Sequence, residues 1–252
     1  MKPIEIDEIT QYVNENIIDF HDRRISILRN LTLHHLLNKN PYLFRAKNVT
    51  KASELIEETM SAFLSSSEEK LFGDFLEDLA IFIAGKTADG HKSSSSGIDL
   101  EFSSNDIYYL VSVKSGSNWG NSSQHKKLAQ DFRDAVIRLR QSKHVKMVQP
   151  ILGICYGKSK TTITKDGYLK VVGQNFWTLI SGKKELYTQI IEPIGYMAKE
   201  YNDNYLMERD KIINLLTRSF IDKFCDATGV IDWPKVIEAN SGNYDLDKFI
   251  TE

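Results

Sequence analysis

The sequence predicts an α/β fold in which a small mixed sheet is flanked by helices, with helical N- and C-terminal regions. Three observations carry this. Apolar residues recur at helical spacing from Ile4 to Leu37 and again up to Gly85. The texture changes at KTADGHKSSSSG, after which short runs rich in β-branched and aromatic residues alternate with turn residues. From Glu185 the helical pattern resumes. Helices, a strand-rich centre with one embedded helix, then helices is the order of a layered α/β domain.

Each element has a local reason. Ile17, Ile18, Phe20, Ile25, Ile27, Leu28 and Leu31 follow a helical stripe, which Asn40-Pro41 interrupts. A second helix is expected over about Ala52 to Phe63. Ser65-Ser66-Ser67-Glu68-Glu69 offers an N-cap with acids in the first turn, opening a third helix that Gly85 would close. IDLEF and DIYYLVSVK read as two strands joined by Ser103-Ser104-Asn105, and SGSNWGNSS as a loop. A helix follows from Gln124 to Ser142. VQPILGICYG and YLKVVG read as buried strands, and NFWTLISG as a short helix ending at Gly182. Pro193 and Trp233-Pro234 punctuate the helices beyond. The chain reads as a single domain: a helical region over 1–64, a core over 65–182 and a second helical region over 183–252.

The 252 residues are 41% hydrophobic and 26% charged, ordinary values for a globular protein with a sizeable core. Cys155 and Cys225 match no metal or disulfide spacing, which points to a reducing compartment. No apolar run approaches the ~18 residues of a membrane span, and MKPIEIDEITQYV is unlike a secretory signal. The net charge of -2 leaves nucleic-acid partners open. Its distribution is uneven, because basic residues gather from His34 to Lys51 and from His125 to Lys146. Such clusters build either solvated helix faces or an electrostatic footprint for nucleic acid.

Two charges stand out. Alternation along IDLEF puts Ile98, Leu100 and Phe102 on one face and Asp99 and Glu101 on the other. Along YLVSVKS, Leu110, Ser112 and Lys114 share a face. In a hairpin, Asp99 and Lys114 meet on one side. The plain interpretation is an ion pair across two strands. The functional one is metal-assisted phosphodiester cleavage: a carboxylate holds Mg²⁺, and a lysine beside it orients the attacking water or stabilises developing charge.

GIDLEF followed by YYLVSVKSG resembles the PD-(D/E)XK nuclease superfamily, and type II restriction endonucleases in particular. The helix LFGDFLEDLA, then ILGICYGKS and NFWTLISGKKELY, extend the similarity from about Glu69 to Tyr187. The resemblance implies a restriction-endonuclease-like fold forming one nuclease domain over 1–252. It further implies Mg²⁺ as cofactor, double-stranded DNA cut at a short specific site to leave 5′-phosphates, a homodimer, and a prokaryotic cytoplasmic setting without a membrane. It assigns catalysis to Asp99, Lys114 and Glu77, and metal binding to Asp99, Glu77 and Glu101. The superfamily's proline is replaced by Ile98, and its acid two residues before the lysine by Ser112. The substitute acid is best matched by Glu77, then Glu101, then Asp131, with Gln130 also expected to turn inward.

DNA contacts are expected from Ser115, Ser117 and Asn118 in the loop after the lysine, and from Arg45 and Lys126 in the basic segments. Lys92 to Ser96 reads as a flexible loop, His34, His35 and His125 as surface or capping residues, and Trp177 and Cys155 as core. Three alternatives remain: another nuclease of the superfamily in DNA repair or junction resolution, a DNA-binding module whose site has decayed, and an α/β interaction protein.

Overall fold

A computed structural model describes residues 1–142 and 147–241. The chain begins with helices α1 (Ile6–Arg29), α2 (Leu33–Leu37), α3 (Pro41–Ala46) and α4 (Ala52–Ala88). Strands β1 (His91–Lys92), β2 (Leu100–Ser104) and β3 (Ile107–Gly116) follow, then α5 (Ser122–Ser142) and strands β4 (Val148–Tyr156), β5 (Thr162–Ile163) and β6 (Leu169–Val172). The remaining helices are α6 (Gln174–Ser181), α7 (Leu186–Gln189), α8 (Ile191–Ile194), α9 (Ala198–Phe224) and α10 (Trp233–Ser241). Contacts divide the chain into two units, Met1–Phe20 with Leu71–Ala198, and His21–Lys70 with Lys199–Glu252. The helices α1 and α4 contribute residues to both.

The first unit holds a six-stranded mixed sheet in the order β1-β2-β3-β4-β6-β5. β2 and β3 form an antiparallel hairpin, whereas β4 runs parallel to both β3 and β6. The hairpin turns at Asn105 and Asp106, both at positive φ (50° and 61°), and Ser104 pairs with Ile107. Two left-handed residues match the twist of the strands, and Asn and Asp tolerate that conformation. The expected link, Ser103-Ser104-Asn105, is therefore displaced, and both serines belong to β2.

One face of the sheet presents Leu100, Phe102, Val111, Val113, Ile151 and Val171 to Leu76, Leu79 and Ile83 of α4 and to Phe176 and Trp177 of α6. The other presents Leu110, Leu152, Ile154 and Val172 to Leu128, Phe132 and Leu139 of α5. Each such large side chain contributes about 1.5–3 kcal/mol when fully buried. Phe176 lies directly over Gly153, where a Cβ would intrude on the ring. Trp177 and Cys155 are core residues, as expected, and the Trp177 indole N–H donates to Cys155 O at 2.9 Å. Ile98 departs from the expected alternation. It joins the α5 side, away from Leu100 and Phe102, because it lies before the regular strand begins.

Helix α4 is a single 37-residue helix where two were expected. No proline or glycine separates Phe63 from Glu69, and the Ser66 and Ser67 hydroxyls donate back to Ala62 O and Phe63 O instead of capping a new start. Gly85 does not close it either. The helix ends at Ala88, where Asp89 takes a left-handed φ of 50° and Lys2 N–H caps Thr87 O at 2.7 Å. Pro41 and Trp233-Pro234 begin helices, the position that tolerates proline's missing N–H. Asn40 caps the first of these by accepting from Tyr42 N–H. β1 and β5, two residues each at the sheet's margins, carry too little pattern to be read from sequence.

The second unit is helical. Leu28, Phe44, Ile56, Met60, Phe220 and Val236 form its core. Arg24 bonds Glu68 at 2.8 Å and stacks over the Tyr205 ring at 4.0 Å.

Candidate active site

The parallel pairing of β3 and β4 carries Lys114 towards the sheet's rim, where Gly116 and Tyr156 are partners. Asp99, just before β2, is held by its backbone N–H on Val111 O at 2.9 Å. Its Oδ2 accepts three hydrogen bonds, from Val113 N–H at 2.6 Å, Ser112 Oγ at 3.2 Å and Lys114 Nζ at 3.3 Å. Lys114 Nζ also donates to Val113 O at 2.7 Å and lies 5.8 Å from the centre of the Trp119 ring. The Asp99 and Lys114 side chains are 19% and 31% exposed, so the pair is partly open to solvent. Ser112, whose hydroxyl donates to Asp99, is buried.

Helix α4 supplies the second carboxylate. At Gly73 it approaches β3 closely, with Ser115 Oγ 3.5 Å from where a Cβ would stand. Glu77, one turn later on the same helix face, is half-buried. Burial, and then the negative charge of Asp99, push its carboxyl above the usual range, while Lys92 and Lys114 pull against that shift. Lys92 Nζ lies 3.4 Å from Glu77 Oε1 and 3.8 Å from Asp78 Oδ1. Two acids and two lysines thus act on one another. Burial and the nearby Glu77 charge raise the Cys155 thiol strongly, which keeps it protonated and inert. Lys92 escaped the sequence reading because it stands on an exposed two-residue strand with no motif around it.

The other candidate acids have different partners. Glu101 is buried and accepts from Ser93 Oγ at 2.6 Å and from Tyr108 Oη at 2.5 Å. Asp131 pairs with Lys127 at 2.8 Å and packs against Gly97, which has a φ of 74° and leaves no room for a Cβ. Gln130 is exposed and bonds Asp134 and Arg133, contrary to the expected inward turn, because its position on α5 lies off the stripe of Leu128, Phe132 and Leu139. Among the described residues no group of three or more His, Cys, Asp or Glu side chains is placed to hold a metal. Asp99 and Glu77 are the two carboxylates that act on one another here, and carboxylate oxygens are hard donors.

Around the rim, Ser115 adjoins Gly73, the Ser117 and Ser159 hydroxyls share a hydrogen bond of 2.9 Å, and Asn118 is exposed. Trp119 packs on His125, with ring centres 4.6 Å apart. Lys126 is exposed at the start of α5, whereas Lys143, His144 and Lys146 of the same basic segment lie outside the described residues. Arg45 is exposed on α3, in the second unit. His35 caps α2 by accepting from Thr32 N–H at 3.2 Å. Within the serine loop, Ser93 N–H donates to Asp99 O at 3.1 Å.

Comparison with known proteins gives one family. The family model for the type II restriction endonuclease EcoO109I matches residues 7–202, most of the chain. No curated protein matches it. Among the described residues no helix is long and apolar enough to cross a membrane.

Proposed function

Because the chain belongs to the type II restriction endonuclease EcoO109I family, we propose that it hydrolyses phosphodiester bonds of double-stranded DNA at a short specific site, with Mg²⁺ as cofactor. The observation that carries this is the convergence of Lys114 on Asp99 at 3.3 Å, with both charges acting on Glu77. Asp99 and Glu77 would hold the metal. When bound, it supplies a lowered pKa for the attacking water and offsets charge at phosphorus. Lys114 orients that water and stabilises charge on the phosphate oxygens. Water adds to phosphorus, the 3′-oxygen leaves, and a 5′-phosphate remains. The catalytic core lies within residues 65–182.

A symmetric site calls for a homodimer with one centre per strand, working in the cytoplasm of a prokaryote. Ser115, Ser117, Asn118 and Lys126 serve as DNA contacts near the rim, and Arg45 as a further one from the helical unit. The test is digestion of a defined plasmid with Mg²⁺, followed by sequencing of the ends. Discrete fragments with a common end sequence support restriction. Structure-dependent nicking favours a repair or junction enzyme. Binding without cleavage favours a decayed site, a second reading that buried Ser112 in place of an acid keeps open.

A further inference from the structure

Glu101 lies two residues from Asp99, yet its carboxylate is engaged elsewhere. Oε1 accepts from Ser93 Oγ at 2.6 Å and Oε2 from Tyr108 Oη at 2.5 Å. Short O–H···O⁻ bonds of this kind are the strong, charge-assisted class. The side chain is 7% exposed, and His91 Nε2 lies 4.0 Å away. Ser93 is the more informative partner. Its Oγ accepts from Ser95 N–H at 2.9 Å, its own N–H donates to Asp99 O at 3.1 Å, and Ser95 O in turn accepts from Ile98 N–H at 3.1 Å. The segment from Ser93 to Asp99 is therefore a closed loop. One end is fixed by the Glu101 carboxylate and the other is the residue whose carboxylate meets Lys114.

The geometry points to Glu101 as a positioning residue that pins the serine loop and through it fixes Asp99, rather than as a metal ligand. Tyr108 sets the carboxylate's direction, being part of the core on the α5 side of the sheet. Glu101 holds Ser93, and Ser93 holds the loop and the Asp99 carbonyl. The loop has no apolar side chain between Ser93 and Gly97 with which to anchor itself. A run of serines without such a pin has many backbone states, and a shift of about 1 Å at a catalytic group costs on the order of 10²-fold in rate. Glutamine can keep both contacts. Its carbonyl accepts from one hydroxyl and its amide donates to the other, which rotates to suit. Alanine keeps neither. A metal-ligand role and a positioning role therefore predict opposite outcomes for the conservative change.

This role rests on the nuclease reading for its kinetic consequence but not for its structural one, so two readouts are used on the full chain. The first is amide hydrogen exchange without DNA or metal. Glu101→Ala and Ser93→Ala should speed exchange at the Ser93, Ser95 and Ile98 amides at least tenfold, while Glu101→Gln should leave them within about threefold of wild type. The second is cleavage of plasmid DNA with Mn²⁺ titrated as the metal. Glu101→Gln should retain kcat within about threefold and an unchanged Mn²⁺ half-saturation, while Glu101→Ala and Ser93→Ala lower kcat with little change in KM. Ser93→Ala guards against Glu101→Ala failing to fold, since it removes only the loop link. Unchanged exchange in the folded alanine variants overturns the pin. A Glu101→Gln enzyme as slow as Glu101→Ala, with its Mn²⁺ half-saturation raised tenfold, overturns it in favour of a ligand. If wild type cuts no DNA at all, the functional reading fails, and the exchange result still decides the role of Glu101.

Discussion

Lys114 Nζ stands 3.3 Å from Asp99 Oδ2, a longer approach than the 2.6 Å hydrogen bond from Val113 N–H to the same oxygen. The backbone amide therefore holds Asp99 more closely than the lysine does. An ion pair this exposed is worth about 0–1 kcal/mol. The buried Val113 N–H, by contrast, loses about 1–3 kcal/mol of stability if its acceptor is removed.

Asp99→Asn separates these effects. It keeps an oxygen for Val113 N–H and removes the charge. Cleavage should fall by roughly 10²-fold or more, as when about 3 kcal/mol of transition-state stabilisation is lost. Thermal unfolding should show a melting temperature near that of wild type. Asp99→Ala should be equally inactive but should also melt earlier.

Glu77→Gln should be slower and yet more stable near neutral pH. Burial and Asp99 raise the Glu77 carboxyl above its ordinary value of 4.5. The folded state thus binds this proton more tightly than the unfolded one, so Glu77's contribution to stability is full below about 4.5 and is lost as pH rises through the folded value. Replacing it with a neutral amide removes the loss. Melting curves of the two proteins should converge below pH 4.5 and separate above it, with the variant higher. Cleavage should drop by roughly 10²-fold, whereas Asp131→Ala, whose partner is Lys127, should cost much less.

Gly153→Ala should destabilise without touching the chemistry. An added methyl meets the fully buried Phe176 ring, and overpacking of this kind costs about 1–3 kcal/mol. In a chain of this size each kcal/mol lowers the melting temperature by about 2–4 °C. Activity per folded molecule, measured well below the transition, should be preserved.

Binding should weaken steeply with salt, since phosphate contacts release counterions. Neutralising Lys126 should flatten the slope of log affinity against log salt by about 0.9 if the start of α5 faces DNA. The same test at Arg45 asks whether the helical unit also contributes. An unchanged slope returns either residue to an ordinary solvated surface.

The sheet's central strands and α5 and α6 were legible because their apolar periods are strong and their ends carry turn residues. The Asp99–Lys114 approach was legible too, because pairing two strands of that spacing leaves those side chains little choice. Three features were hidden. The continuity of α4 was masked by Ser65 to Ser67, whose hydroxyls serve a cap or bond back into the helix with equal ease. The hairpin turn was masked by Asn105-Asp106, which lacks the glycine that usually announces such a turn. The helix pattern ranks Glu77 ahead of Glu101, but the partners of each carboxylate are not readable from pattern. What separates them is tertiary. Glu77 feels Asp99 and Lys114, whereas Glu101 is taken up by Ser93 and Tyr108.

Lys114 is proposed to act on the reaction and not merely on the fold. The most direct measurement of this role is Lys114→Ala, assayed at one temperature for DNA affinity and for cleavage rate with Mg²⁺, beside its melting temperature. Affinity should stay within a few-fold of wild type and the melting temperature little changed, with cleavage lower by two orders of magnitude or more, the pattern of a lost transition-state interaction. Lys114→Arg should not restore the rate, because a planar guanidinium does not replace a compact ammonium in a narrow site. A Lys114→Ala protein that melts early and still cuts at the wild-type rate per folded molecule would contradict this role.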